Sequence, residues 1–203
     1  MGYKDVRDSL KAVSQKVLEP VIALLNRTGA TPNFITWFGF ALNLPAVYFI
    51  IKGKFVPAAV IIIIASIFDM LDGALARMMD KKTKFGGFLD STVDRFVEGV
   101  LYFGLLVYYI ETGNKTGIML SYVVLFFSFL VSYLRARAGG LRIDCEVGLF
   151  TRPERLIALI LGLLINRVIE VLVLLAVVTF ITVVQRMWLV FTEAEKLDKK
   201  SKE

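Results

Sequence analysis

Four aspartates with regular spacing are the residues of this sequence best suited to chemistry. Asp69 and Asp72 are three residues apart, and Asp90 and Asp94 are four apart. Both spacings place two side chains on one face of a helix. Each pair lies where a long apolar run meets polar residues. A carboxylate in such a segment is costly to insert into a membrane, which indicates that it serves a function.

The aspartate pairs predict a metal site. A short basic loop separates the two runs, so the helices that carry the pairs are expected to be antiparallel neighbours whose carboxylates converge. Four negative charges close together require cations. The sequence has no histidine and one cysteine, so oxygen ligands and magnesium, manganese or calcium are favoured. Two ions and a nearby arginine, Arg77, would suit phosphoryl chemistry. The alternative is that these carboxylates lie at a wet interface and pair with Arg77 and Arg95.

The rest of the chain is typical of an all-α integral membrane protein. It has 203 residues, of which 57% are hydrophobic, and a mean hydropathy of +0.68. We expect residues 1–30 to contain an amphipathic helix in the membrane interface or on the protein's own cytoplasmic side. Residues 31–192 would form a six-helix membrane catalytic domain, and residues 193–203 a charged cytoplasmic tail. The predicted spans are about 34–51, 57–79, 88–110, 118–134, and two within 156–184 that are separated by a tight turn at Asn166-Arg167.

The distribution of basic residues predicts an orientation. Of the 24 lysines and arginines, those expected on the side away from the termini are Lys52, Lys54, Lys115 and Arg167, and Arg95 lies within a helix. This asymmetry places both termini and the aspartates in the cytoplasm of a multi-pass cell-membrane protein. The net charge of +6 is explained by an anionic membrane surface, so no nucleic-acid partner is expected.

The residues from Asp69 to Asp94 resemble a family signature. The segment matches D-x2-D-G-x2-A-R-x8-G-x3-D-x3-D at all eight fixed positions, without an insertion. This pattern is similar to that of the CDP-alcohol phosphotransferases, and it spans the end of one apolar helix and the start of the next, as such a motif requires. The matching residues are Asp69, Asp72, Gly73, Ala76, Arg77, Gly86, Asp90 and Asp94.

The resemblance implies a role for each matching residue. Two divalent ions, magnesium or manganese, would be held by the four aspartates, and Asp94 would also be the general base. A CDP-linked lipid would be bound by Asp69, Gly73, Arg77 and Gly86. The segment Pro32-Asn33-Phe34-Ile35-Thr36 looks like a further element of the family, in which Asn33 and Thr36 would hold the nucleotide; it is equally typical of a helix start. The resemblance also implies that the protein forms a homodimer.

A second group of residues bears on the acceptor. Ser132 to Leu141 and Arg152 to Leu156 are similar to segments of phosphatidylinositol phosphate synthases and their archaetidylinositol phosphate relatives. The resemblance implies that the acceptor is inositol 1-phosphate and that Arg135, Arg137, Arg152 and Arg155 bind its phosphate. Arg152-Pro153 departs from that pattern, which leaves glycerol 3-phosphate as the alternative acceptor. The arginines are also explained by ordinary positive charge on the cytoplasmic side.

A function of another class uses the same carboxylates. In a cation-coupled transporter the aspartates would line a path for ions. The carboxylates cluster at one end of the predicted helices, however, and no polar residues continue from them through the membrane. The sequence therefore favours an enzyme that transfers a lipid-linked phosphate to an alcohol and releases CMP.

Overall fold

The computed structural model describes residues 31–78 and 83–200, and the regular elements in these two ranges are all α-helices. The all-α class is thereby confirmed. The amphipathic helix predicted within residues 1–30 lies outside the described residues. In chain order the helices are α1 (Pro32–Ile51), α2 (Phe55–Met78), α3 (Lys84–Glu111), α4 (Lys115–Gly140), α5 (Arg152–Leu164) and α6 (Val168–Lys200).

Four of these helices are long and apolar enough to cross a membrane, namely α1, residues 55–76 of α2, α4 and α6. The other two helices, α3 and α5, do not have both the length and the apolar composition of a membrane span. With 28 residues α3 is long enough, but its first half carries four charged side chains. With 13 residues α5 is about 20 Å long, against about 30 Å of hydrocarbon in a bilayer. The described helices are those of a multi-pass membrane protein.

Capping residues determine where the helices of the site begin. Thr31 precedes α1, and its hydroxyl accepts a hydrogen bond from the amide of Phe34 at 3.3 Å, while Pro32 occupies the first helical position. Thr83 precedes α3 and accepts from the amide of Gly86 at 2.9 Å. Two threonine caps therefore fix the first turns of the helices that carry candidate binding residues.

The turn predicted at Asn166-Arg167 is present. α5 ends at Leu164 and α6 begins at Val168, and Asn166 has a φ of 55°, a left-handed conformation that asparagine tolerates well. The apolar stretch is thus divided into two helices. α6 then continues through the charged residues to Lys200, and its 33 residues span about 50 Å. The described part of the predicted tail, residues 193–200, is therefore a continuation of this helix.

The described residues form two compact units. The first contains residues 31–45 and the described residues of 61–97. Within it α1 lies close to α2 at Gly39, where an added Cβ would be 3.5 Å from Cβ of Phe68 and 3.6 Å from the carbonyl oxygen of Ala65. A small residue at this position lets two helix backbones approach each other. Ile35, Leu71, Ala74 and Leu75 form the apolar core beside this crossing.

The second unit contains residues 46–60 and 98–200. In it α6 packs against α4 and α5. The segment between α4 and α5 folds back onto α6, and the buried side chains of Ala138, Ile143 and Cys145 pack against Leu189, Val190 and Ala194. α6 is therefore the support for the loop that connects α4 to α5.

Candidate active site

Three of the four predicted aspartates converge. Asp69 in the C-terminal half of α2 and Asp90 and Asp94 in the N-terminal half of α3 each offer a carboxylate oxygen, and these three atoms lie within 4.8 Å of one another. Asp90 is exposed, and the other two are partly buried. The predicted helix geometry is responsible, because the i, i+4 spacing puts Asp90 and Asp94 on one face. The fold therefore produces a carboxylate cluster between the C-terminal half of α2 and the N-terminal half of α3.

The cluster fits a divalent cation. Magnesium binds oxygen at about 2.0–2.1 Å, so two ligands of one ion lie at most about 4.2 Å apart. Small side-chain rotations would bring the three oxygens from 4.8 Å to this separation. Carboxylate ligands are those that hard cations prefer, and without a cation the three negative charges would repel one another. When bound, such an ion would neutralise a diphosphate and act as a Lewis acid.

Asp72 occupies a different position beside the cluster. It is 4% exposed, and its Oδ2 accepts a hydrogen bond from the hydroxyl of Thr36 at 2.5 Å. Its carboxylate is close enough to Asp69 and Asp90 to be repelled by both. The crossing of α1 and α2 at Gly39 explains this contact. Gly39 lies beside Phe68, and the two helices run antiparallel. Thr36, about one turn before Gly39, therefore comes to lie beside Asp72, about one turn after Phe68. Thr36 therefore lies against a predicted metal ligand.

We expect Thr36→Val to lower the free energy of unfolding by about 1–3 kcal/mol, since it leaves a buried carboxylate oxygen without its donor. The melting temperature in detergent measures this. Thr36→Ser retains the hydroxyl and should stay near the wild type. Thr112→Val is the matched control, because Thr112 is exposed directly after α3 and its hydroxyl donates to main-chain oxygens of the last turn of that helix. Equal melting temperatures for Thr36→Val and Thr112→Val would contradict the prediction.

Two of the predicted nucleotide-binding residues lie next to each other. A Cβ added to Gly86 would be 3.6 Å from Oδ1 of Asn33 and 3.0 Å from Oγ1 of Thr83. The start of α1 and the start of α3 therefore meet at Gly86, where the missing side chain leaves the backbone accessible. Gly73 follows Asp72 in α2 and is partly buried. The side chain of Arg77 lies outside the described part of the chain.

Arg95 lies beside the cluster. Its Nη1 is 3.7 Å from Oδ2 of Asp94 and donates to the carbonyl oxygen of Ser91 at 2.6 Å. The alternative pairing of carboxylates with Arg95 is thus present for Asp94. It coexists with the cluster of three aspartates, so it does not replace the predicted metal site.

The four arginines assigned to the acceptor differ in their surroundings. Arg135 and Arg137 are exposed at the end of α4, and Arg135 pairs with Glu146 at 3.4 Å. Arg152 is partly buried in the first turn of α5. Arg155 is 1% exposed and forms a two-pronged ion pair with Glu98, at 2.7 Å and 2.8 Å. The first three are thus open or partly open, whereas Arg155 is enclosed.

Sequence reasoning assigned no role to two buried charged residues of the second unit, Glu98 and Arg186. Glu98 lies within the predicted span 88–110, but its partner Arg155 is 57 residues away, so no local pattern indicates the pair. Arg186 in α6 is 2% exposed and donates to the carbonyl oxygens of Val147, at 2.9 Å, and Val131. An arginine inside an apolar run was the available signal for Arg186.

The helices and the carboxylate cluster define a class of protein: a multi-pass helical membrane protein in which carboxylates from two helices form a cluster that could bind a metal ion. The sequence model of the CDP-alcohol phosphatidyltransferase family matches residues 29–192. The chain belongs to this family and is a transferase that uses a CDP-linked lipid donor and an alcohol acceptor. The expectation of an enzyme is confirmed, which disfavours the transporter alternative.

Several relatives are similar over most of their length. The archaetidylinositol phosphate synthase of Methanothermobacter thermautotrophicus is 32% identical over 193 residues, which are 90% of this chain and 95% of that protein. The phosphatidylinositol phosphate synthase of Mycobacteroides abscessus is 32% identical over 90% of this chain and 87% of its own.

The fold is also that of a solved relative. The phosphatidylinositol phosphate synthase of Mycobacterium tuberculosis, crystallised with CDP-DAG bound, superposes with a TM-score of 0.83 at 32% identity, and the match covers 87% of this chain and 94% of the other. A second crystal structure of that protein, in complex with manganese and citrate, matches with a TM-score of 0.80 and covers 85% and 88% of the two chains.

Proposed function

We propose that this protein transfers a phosphatidyl-type group from a CDP-linked lipid to a hydroxyl of inositol 1-phosphate and releases CMP. The observation that carries this proposal is the convergence of Asp69, Asp90 and Asp94 within 4.8 Å. The family supplies the reaction class, and the relatives named phosphatidylinositol or archaetidylinositol phosphate synthases support the acceptor.

The resemblance to the family assigns the role of general base to Asp94. We propose that its carboxylate takes the proton from the acceptor hydroxyl, whose oxygen then attacks the lipid-side phosphorus of the donor. The bond from that phosphorus to the oxygen of CMP breaks, and CMP leaves with the electron pair. Asp94 is partly buried, with its side chain 14% exposed, so a bound substrate can displace the remaining water.

The donor would be held by residues from three helices. We assign Asn33 and Thr36 of α1, Asp69, Gly73 and Arg77 of α2, and Gly86 of α3 to the cytidine diphosphate group. The adjacency of Asn33 and Gly86 supports this assignment for α1 and α3. Two ions, magnesium or manganese, would be held by Asp69, Asp72, Asp90 and Asp94. The manganese in the Mycobacterium tuberculosis structure supports a divalent ion in this family.

The acceptor assignment depends on the arginines of the second unit. We propose that Arg135, Arg137, Arg152 and Arg155 bind the phosphate of the acceptor, because guanidinium groups bind phosphate through two parallel hydrogen bonds. Glycerol 3-phosphate also carries a phosphate and is the acceptor to compare. The decisive experiment measures CMP release by purified protein with a CDP-linked lipid and each acceptor in turn. Turnover with glycerol 3-phosphate alone would overturn the inositol assignment.

We expect Arg152→Gln to raise the KM for inositol 1-phosphate by about tenfold or more, because a charged hydrogen bond contributes about 1.5–3 kcal/mol. The KM for the CDP-lipid should stay within about twofold. Steady-state CMP release at varied concentrations of each substrate separates the two constants. Arg167→Gln is the matched control, since Arg167 is exposed and pairs with Glu170 near the start of α6. A parallel rise in both KM values would count against a role in acceptor binding.

The organisation in the membrane belongs to the same proposal. We propose that α3 and α5 cross the bilayer with the four clear candidates, that residues 1–30 lie at the interface, and that residues 31–192 form the catalytic domain. Both termini, the tail 193–203 and the site would face the cytoplasm of the cell membrane, and the chain would form a homodimer. Labelling of a single cysteine at Lys115 or Arg142, in a variant without Cys145, tests the orientation, and sedimentation in detergent tests the dimer.

A further inference from the structure

The ion pair between Glu98 and Arg155 is the most enclosed charged contact that the structure describes. Nε of Arg155 donates to Oε1 of Glu98 at 2.7 Å, and Nη2 donates to Oε2 at 2.8 Å. Arg155 is 1% exposed and Glu98 is 8% exposed. A single charge at such a depth would be strongly unfavourable, so each side chain depends on the other. Loss of one partner therefore disturbs the other.

The geometry of the pair fixes the orientation of the guanidinium group. Two parallel bonds to one carboxylate hold its plane and its direction. Nη1 of Arg155 also donates to the carbonyl oxygen of Phe150 at 3.3 Å. These bonds use three of the five N–H groups, so a phosphate that reaches Arg155 would be met by the two remaining N–H groups, one on each terminal nitrogen. Glu98 therefore decides which edge of the guanidinium group of Arg155 faces away from the carboxylate.

The pair is also connected to the loop before α5. Arg155 binds the carbonyl oxygen of Phe150, and Arg186 binds that of Val147. Gly148 lies between them with a φ of 144°, and a Cβ there would be 2.6 Å from Cγ2 of Thr182. The segment 147–150 is thus attached to α5 and α6, and it leads into the first turn of α5, which carries Arg152.

We propose that Glu98 is a positioning residue for acceptor binding. By pairing with Arg155 it orients that guanidinium group and, through Phe150, the start of α5, so that the arginines there meet the acceptor phosphate in a fixed arrangement. Glu98 acts through Arg155 and does not itself bind the substrate. This inference rests on the proposed function, because it assumes an acceptor that carries a phosphate.

Glu98→Gln is the first test. The amide keeps the size of the side chain but loses its charge and one acceptor oxygen, so Arg155 is no longer held on two sides. We expect the KM for inositol 1-phosphate to rise at least tenfold, with the KM for the CDP-lipid within about twofold. Glu170→Gln makes the same change in the exposed pair with Arg167, at 2.8 Å, and should leave both constants unchanged. An unchanged acceptor KM in Glu98→Gln overturns the proposal.

A double substitution separates positioning from folding. Glu98→Arg combined with Arg155→Glu rebuilds the ion pair with its polarity reversed and is expected to recover much of the melting temperature that Glu98→Gln loses. The guanidinium group then belongs to α3 instead of α5, so the acceptor KM should remain at least tenfold raised. Recovery of the acceptor KM together with the melting temperature would show that the pair is merely structural.

The wild type distinguishes failure of this proposal from failure of the proposed function. It is assayed in parallel with inositol 1-phosphate and glycerol 3-phosphate, and transfer to neither would overturn the acceptor class. In that case the rise in melting temperature with inorganic phosphate is compared between the wild type and Glu98→Gln. A rise that is lost in Glu98→Gln supports the positioning role, and an equal rise in both, or no rise in the wild type, overturns it.

Discussion

Asp94→Asn is expected to lower the rate of CMP release by about a thousandfold, because a positioned general base contributes about 10²–10⁴-fold. The asparagine has nearly the same shape but cannot take the proton of the acceptor hydroxyl. Asp94 lies in the first half of α3 on the same face as Asp90, and its carboxylate is part of the cluster with Asp69. The measurement is single-turnover CMP release with saturating donor, acceptor and metal.

The comparison for this variant is Asp90→Asn, which removes a neighbouring carboxylate of the same cluster. If Asp94 is the base, a high concentration of magnesium or manganese should restore more activity to Asp90→Asn than to Asp94→Asn. Asp144→Asn, an exposed aspartate in the loop after α4, controls for the substitution itself. Near wild-type turnover of Asp94→Asn, with donor and metal still bound, would mean that another group takes the proton.

Removal of divalent metal is expected to abolish CMP release, and addition of magnesium or manganese to restore it. Metal ions contribute several kcal/mol to such reactions, and about 4 kcal/mol corresponds to a thousandfold in rate. Asp69→Asn should weaken the binding of manganese and reduce turnover at limiting metal. The cause is the loss of one of three oxygens that lie within 4.8 Å of one another.

Metal binding can be measured without turnover. The paramagnetic signal of free manganese, titrated with protein, gives its dissociation constant in the wild type and in Asp69→Asn. Asp144→Asn again serves as the control and should bind as the wild type does. Full activity after exhaustive chelation, or equal manganese affinity in Asp69→Asn and the wild type, would show that the carboxylate cluster has another purpose.

Local patterns of the sequence predicted much of the fold. The apolar runs indicated the helices because their length and composition suit a bilayer, and α1 to α4 begin or end within a few residues of the predicted spans. Asn166 and Arg167 indicated the turn between α5 and α6 because polar residues interrupt one long apolar stretch. The predicted boundary between the membrane domain and the tail, at residues 192 and 193, does not coincide with a helix end. Ion pairs such as that of Lys196 with Glu193, at 2.7 Å, allow α6 to continue past it.

The aspartate cluster was predictable for a similar reason. Spacings of three and four residues define a helix face whatever the helix packs against, and a short loop forces the two helices to be neighbours. The sequence did not indicate that Asp72 would accept from Thr36, since the two residues are 36 positions apart and lie on different helices. That contact depends on the close crossing at Gly39.

The sequence by itself determined the class of protein, the helices and the carboxylates available to a metal, because these follow from composition and from periodicity along one chain. The tertiary structure alone decided which partners the buried charges have: Thr36 for Asp72, Glu98 for Arg155, and two main-chain oxygens for Arg186. Such partners are distant in sequence and meet because helices pack side by side. A buried charge must find its counterpart there, since neither lipid nor an apolar core can solvate it.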